Sequence, residues 1–368
     1  VRSATKLSSG SPPFGASSTS GGEVRDVRVR GVYTVNSRTV GRWVYLVIGL
    51  ALGVVLLVLA LESVDRAGLI AALTGTDPLL LCLALLTVGA TVMAKALRWR
   101  LLFYPWHRTQ SRGTLVSALL IGQMVNFLLP ARLGEFVRAY VVGQRAGQRK
   151  LLALGTIVVE KVLDGLMLSL LLAFVCVVLP VPHWLRLSGA ASGLALAVLL
   201  LTVLLLTGQR DRLLGAMERV DQAVPVLGRL GLSRRTAALA DGLSSLQSRQ
   251  VNLRLLVWTA GIWLLAGLTN CLVLLALDIE VPLLLGALVV LVVVHLGMVV
   301  PSSPARIGVF HYLCLLSLTL LGVDASQGLA YGFVLHFVVV LPVIFAGLLC
   351  LWRENVSVYR LLREVDDG

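Results

Sequence analysis

Long unbroken apolar runs dominate this chain. They cover 43–61, 79–94, 151–179, 190–207, 255–277 and 329–351, and each is close to the about 20 residues a helix needs to cross a ~30 Å hydrocarbon core. Two further runs, 115–129 and 283–300, each lead into a copy of one heptapeptide. The first copy is Pro130-Ala131-Arg132-Leu133-Gly134-Glu135-Phe136 and the second is Pro304-Ala305-Arg306-Ile307-Gly308-Val309-Phe310. Proline, arginine and glycine are costly in lipid, because freed backbone groups and charge find no partners in hydrocarbon. The same set in both halves of a chain predicts paired broken helices around a polar cavity, the design of a transporter with internal repeats.

Polar flanks set the expected topology. Residues 1–40 are rich in Ser, Gly and Thr without apolar periodicity, which predicts a disordered tail. They lack the h-region and cleavage site of a signal peptide, so the first run is expected to remain as an anchor with the N-terminus inside. Arginines cluster at 98–112, at 145–150 together with Lys150, and across 210–254, which are cytoplasmic positions under the positive-inside rule. The connections 62–77 and 278–281 are acidic or neutral and read as external. Counting crossings, the hairpin at Pro130 enters from the cytoplasm. Three spans later the hairpin at Pro304 enters from outside.

The expected fold class is therefore all-α integral membrane, with six full transmembrane helices plus two oppositely oriented re-entrant helical hairpins in an inverted repeat. The membrane domain covers 41–352 and a cytoplasmic tail follows at 353–368. Segment 209–250 is too polar to cross. Leu213, Leu214, Met217, Val220, Val224 and Leu227 recur at helical spacing, which fits an amphipathic helix on the cytoplasmic leaflet or a solvated linker. Both termini are expected in the cytoplasm of a bacterial-type cell with the protein in its inner membrane.

Hydrophobic residues make up 57% of the chain against 14% charged, which excludes an ordinary soluble domain. A formal charge of +13 would suit a nucleic-acid binder, but it lies on the flanks of the apolar runs, so no nucleic-acid partner is expected. The five cysteines stand singly in apolar runs as packing residues. Trp99, Tyr104 and Trp106 read as an interfacial aromatic belt.

Eight ionisable residues fall in or beside the apolar runs: Arg98, Arg132, Glu135, Arg138, Glu160, Lys161, Asp164 and Arg306. Glu135 and Arg138 share a helical face, as do Glu160 and Asp164. Two carboxylates on one face need a bridging cation. Lys161 points away from Glu160, which leaves Arg132, Arg138 or Arg98. The set is either a buried ion-pair network or a site for a charged ligand. Five bases against three acids leave positive charge unmatched, and arginine's planar fork suits phosphate oxygens. Half-helix N-termini at Pro130 and at 302–304 would add donors for an anion. Arg98, Arg132, Glu135, Arg138, Glu160, Asp164 and Arg306 are the candidate binding residues, and Pro130, Gly134, Pro304 and Gly308 the candidate gating positions. His295, His311 and His336 sit at membrane depth, as helix hydrogen-bonding groups or as proton carriers. No catalytic residue, metal ligand set or cofactor motif is present in the pattern.

The order Leu97-Arg98-Trp99-Arg100, then Asn126 through Arg138, then Val159-Glu160-Lys161-Val162-Leu163-Asp164, then Pro301-Ser302-Ser303-Pro304 with Gly308-Val309-Phe310, resembles the flippase-like family. That family includes the transmembrane half of bacterial lysylphosphatidylglycerol synthases, and the likeness covers about 42–352. The resemblance implies translocation of an anionic lipid or lipid-linked phosphate between leaflets, with Arg98, Arg132, Glu135, Arg138, Glu160 and Asp164 as its polar core. Arg306 departs from the family, which commonly has a small residue there. No soluble synthase domain is expected after the last span, so lysyltransferase activity is not. A membrane-embedded transferase acting on a lipid-linked substrate and a non-transporting partner of an envelope-biosynthesis enzyme are the alternatives.

Overall fold

The computed structural model describes residues 50–51, 53–62, 64–105, 110–128, 133–146, 150–179, 183–223, 232–298 and 304–354, and among them every regular element is helical. The N-terminal half runs α1 (Gly53–Glu62), α2 (Arg66–Thr74), α3 (Pro78–Leu102), α4 (Arg112–Leu128), α5 (Gly134–Ala146), α6 (Lys150–Val178) and α7 (His183–Gly208). The remainder comprises α8 (Arg210–Ala223), α9 (Leu232–Gly242), α10 (Arg249–Ala276), α11 (Leu283–Gly297), α12 (Val309–Thr319) and α13 (Ala325–Glu354). Short 3₁₀ turns lie at Ser244–Gln247 and Pro304–Arg306.

Helix starts follow local chemistry. Asp77 accepts hydrogen bonds from the Leu79 and Leu80 amides with Pro78 at the first helical position, and Asp65 caps α2 through the Ala67 and Gly68 amides. Both satisfy amide donors that a helix start leaves without partners.

Four helices, α3, α6, α10 and α13, are long and apolar enough to cross a membrane. They correspond to the runs expected at 79–94, 151–179, 255–277 and 329–351. The run at 190–207 lies inside α7, and the run at 43–61 is described only from residue 50. Large apolar side chains face outward along them, including Leu86, Val177, Leu264 and Trp352. A chain whose solvent is hydrocarbon can leave such side chains outside.

The other apolar helices are shorter. With 17 and 13 residues, α4 and α5 flank the first heptapeptide, and with 15 and 11, α11 and α12 flank the second. At 1.5 Å per residue they span roughly 16–26 Å, less than a ~30 Å core. Each pair packs on itself. The first pair lies against α3, α6 and α13, and the second against α6, α10 and α13.

One large buried cluster joins α3, α10, α11, α12 and α13, and another joins the end of α3 to α4, α5 and the start of α6. Segment 209–250 carries Leu213, Leu214, Met217 and Val220 on one helix. It forms α8 and α9, and α9 docks on α6, with Gly242 against the Leu152 carbonyl and Gly155, and with Ala238 buried. Val224 and Leu227 lie outside the described residues.

Candidate functional site

Helix α3 carries Lys95, Arg98 and Trp99 into the centre of the bundle. Arg98 is fully buried, and its guanidinium forks onto Asp164 of α6 at 2.5 and 3.0 Å. The same group touches Glu160 at 3.9 Å and donates to the Thr259 hydroxyl of α10 at 3.2 Å. Arg98 is thus the cation between the two carboxylates on one face of α6. Arg138 of α5 forms a second fork onto Glu160, at 3.0 and 2.8 Å. Bidentate pairs of this kind fix orientation as well as charge.

Trp99 is a correction to the interfacial belt. Its ring is wholly buried, stacks 4.2 Å from the Arg138 guanidinium, and donates through Nε1 to the Thr156 hydroxyl at 3.0 Å. The apolar face and single donor of indole suit this position, where a cation must be held with little water. Trp106 lies outside the described residues.

Lys161 points away from Glu160 and reaches across to Glu135 of α5 at 2.9 Å. Asn126 of α4 accepts from the Gly134 amide at 2.7 Å, tying the start of α5 to α4. A Cβ at Gly134 would run into the Gly122 carbonyl and the Asn126 amide, so glycine there permits α4 and α5 to meet. Pro130 and Arg132 lie outside the described residues.

The second heptapeptide makes a tighter turn. Ala305 and Arg306 both have positive φ, 56° and 60°, a conformation that costs an L-residue roughly 1–2 kcal/mol. Neighbours hold it in place: His336 Nε2 donates to the Ala305 carbonyl at 2.8 Å, and the Gly308 amide donates to His311 Nδ1 at 3.2 Å. The two imidazoles lie 4.9 Å apart. Gly308 also has positive φ and packs against the Gly53 carbonyl of α1, leaving no room for a Cβ. Arg306 extends over the Phe127 ring at 5.0 Å, so the turn of one repeat rests on the helix entering the other.

Two groups near this junction were not among the sequence candidates for binding an anion. Lys95 is half-buried and stands one turn before Arg98 on α3. It stands one residue past the run 79–94 and so looks like a flank, although its spacing of three from Arg98 puts both on one face. His295, in the last turn of α11, stacks 5.0 Å from Trp263, and its Nδ1 donates to the Leu291 carbonyl at 2.7 Å.

The ion pairs bring together Arg98, Arg138 and Lys161 with Glu135, Glu160 and Asp164, three bases with three acids, and Lys95 stands one turn before Arg98 on α3. Arg98 Nε and Arg138 Nε are buried with no acceptor among the described residues. Each carboxylate is already taken by a cation.

Residues 46–347 match the family model described as the lysylphosphatidylglycerol synthase TM region. The chain belongs to this family. Its membership covers both heptapeptides and the whole charged cluster. Among curated proteins, Glycosyltransferase AglD of Haloferax volcanii is 32% identical over 136 residues, 37% of this chain and 22% of that relative. The chain thus spans about a fifth of the length of that relative. No solved structure matches. Family membership and the four long apolar helices make this a multi-pass membrane protein.

Proposed function

We propose that this protein moves an anionic phospholipid or a polyprenyl-phosphate-linked lipid between membrane leaflets. The observation that carries the reading is the buried charged cluster on α3, α5 and α6, where Arg98 and Arg138 hold Asp164 and Glu160 and each keeps a buried Nε with no acceptor among the described residues. Charge at that depth costs at least ~2.5–3.5 kcal/mol per residue, and a phosphate would compensate it. Membership of a lipid-related membrane family supports the same class of substrate. A lipid would enter sideways, its phosphate meeting the cations while its tails stay in hydrocarbon.

The proposed architecture has six spans, with α4–α5 and α11–α12 as oppositely oriented re-entrant hairpins. Their short lengths and their pairing support it. Access would alternate between the turn at Pro130 and Gly134 and the turn at Pro304 and Gly308. Both termini would be cytoplasmic, in a bacterial-type inner membrane.

Purified protein in proteoliposomes should exchange labelled anionic lipid between leaflets without altering it chemically, and faster than phosphatidylcholine. Equal rates for anionic and zwitterionic lipids, or exchange no faster than in protein-free vesicles, would remove the reading.

A transferase acting on a lipid-linked substrate is the second reading, favoured by the glycosyltransferase name of one relative. It would need Glu135 or Asp164 as a base. Asp164 is held through both oxygens by Arg98, whereas Glu135 meets Lys161 through Oε1 and keeps a buried Oε2 with no partner among the described residues. Metal-dependent incorporation of labelled sugar by the purified protein would favour this reading.

A further inference from the structure

Two imidazoles hold the turn of the second heptapeptide, and they use their nitrogens in opposite senses. His311, buried in the first turn of α12, accepts from the Gly308 amide through Nδ1 at 3.2 Å. An amide N–H can only donate, so Nδ1 carries no proton and the ring is neutral. His336 of α13 donates through Nε2 to the Ala305 carbonyl at 2.8 Å, and a proton on its other nitrogen leaves that bond in place. Only His311 loses its hold on the turn when it takes a proton, because Nδ1–H and the Gly308 N–H are then both donors.

What the Gly308 bond restrains is a strained segment. Ala305 and Arg306 stand in the left-handed region at φ 56° and 60°, and Gly308 lies against the Gly53 carbonyl of α1. Such a backbone persists only while its surroundings over-determine it, so losing one bond favours relaxation. A charged His311 has a partner at hand, since the Phe333 ring lies 4.4 Å away and an aromatic face attracts a cation. Two groups oppose that charge: the His336 ring at 4.9 Å and Arg306 in the turn itself. Helices α4, α11 and α12 carry no carboxylate, and those of α1 and α13, Glu62 and Glu354, lie at the far ends of their helices. His295, Tyr312, Cys314 and Tyr331 are the uncharged titratable groups around the pair. With no acid beside it, the closed turn keeps His311 neutral.

We infer that His311 is a proton-binding site that locks the second turn, closed while Nδ1 holds the Gly308 amide and open once Nδ1 has taken a proton from water. Opening frees Nδ1, so the open turn binds the proton more tightly than the closed one. By linkage, acid therefore favours opening. His336 keeps its bond to the Ala305 carbonyl in both states and anchors the turn to α13. The lock rests on the geometry of the turn, while its use as a proton-coupled gate rests on the lipid-translocation reading.

Hydrogen–deuterium exchange over 304–311, measured on detergent-purified protein without added lipid, tests the lock apart from transport. His311→Gln is the deciding variant, because a glutamine at the third helical position accepts from the cap amide through its side-chain oxygen and cannot titrate. Comparing proteins at equal pH cancels the intrinsic exchange rate. At about pH 8 the unaltered protein and His311→Gln should exchange alike, and at about pH 5, the acid end of the histidine range, the unaltered protein should exchange at least about tenfold faster. One coupled proton permits up to about tenfold per pH unit. His336→Gln keeps a donor for the Ala305 carbonyl and should retain the acid response. Equal exchange of the unaltered protein and His311→Gln at both pH values would overturn the lock, as would a His311→Gln protein that exchanges faster already at about pH 8. Loss of the acid response in His336→Gln would overturn it too. An acid response at the turn, together with leaflet exchange of labelled phosphatidylglycerol that is indifferent to His311→Gln, would keep the lock and remove its role as a gate. The same response with no leaflet exchange at any pH would keep the lock and remove the translocation reading.

Discussion

At the scale of single residues, the decisive property of Arg98 is that both terminal nitrogens are engaged on Asp164 inside a buried site. Removing one partner of such a pair leaves an uncompensated charge, at a cost of about 3–5 kcal/mol. Arg98→Met alone should therefore lower the unfolding temperature markedly, and Arg98→Met with Asp164→Leu should recover part of the loss. A double variant less stable than either single variant would contradict this account. The glycines make a second residue-scale case. Gly308→Ala adds a Cβ at positive φ against the Gly53 carbonyl and should destabilise by at least roughly 1–2 kcal/mol. Gly215→Ala meets nothing within 4 Å and should be neutral or slightly stabilising. Comparable unfolding temperatures for the two alanine variants would show that the second turn is not tightly held.

At the scale of elements, two pairs of short helices share one plan: an apolar helix that precedes a Pro-Ala-Arg sequence, then a second helix packed on the first. What differs is the expected side of entry, because an odd number of spans separates them. Single cysteines placed at residue 147 and at residue 230 should label only from the cytoplasm, and one replacing Glu280 only from outside. Labelling of 147 and 280 from the same side would exclude opposite orientation. Helix starts offer a smaller test: Asp77→Ala should cost about 1 kcal/mol through loss of the α3 cap, seen as a modest fall in unfolding temperature.

At the scale of the whole molecule, charge balance separates a carrier from an enzyme. Glu135→Gln would release Lys161 from its carboxylate and make the cluster more positive, while the amide still accepts a hydrogen bond. Leaflet exchange should persist in this variant, with affinity for anionic lipid unchanged or higher, measured at matched protein levels. Complete loss of turnover in both Glu135→Gln and Asp164→Asn, with lipid binding intact, would point to chemistry at the carboxylates.

Much of this organisation is already written along the chain. The long apolar runs, the repeated heptapeptide and the membrane-depth arginines follow from one-dimensional pattern, since length, helix breakers and charge carry their cost in lipid wherever they sit. Which cation meets which carboxylate does not follow from spacing. Spacing left Arg98, Arg132 and Arg138 equally able to bridge Glu160 and Asp164. Only the packing of α3 against α6 and α10 put Arg98 there, with α5 bringing Arg138 to Glu160 alone. Trp99 looked interfacial because an aromatic beside arginines at a helix end usually is, and it became core because α5 covers it with Arg138. Sequence determined the solvent and the elements, through the energetics of single groups in lipid; tertiary structure decided the partners, because pairing depends on distances between elements that no local pattern encodes.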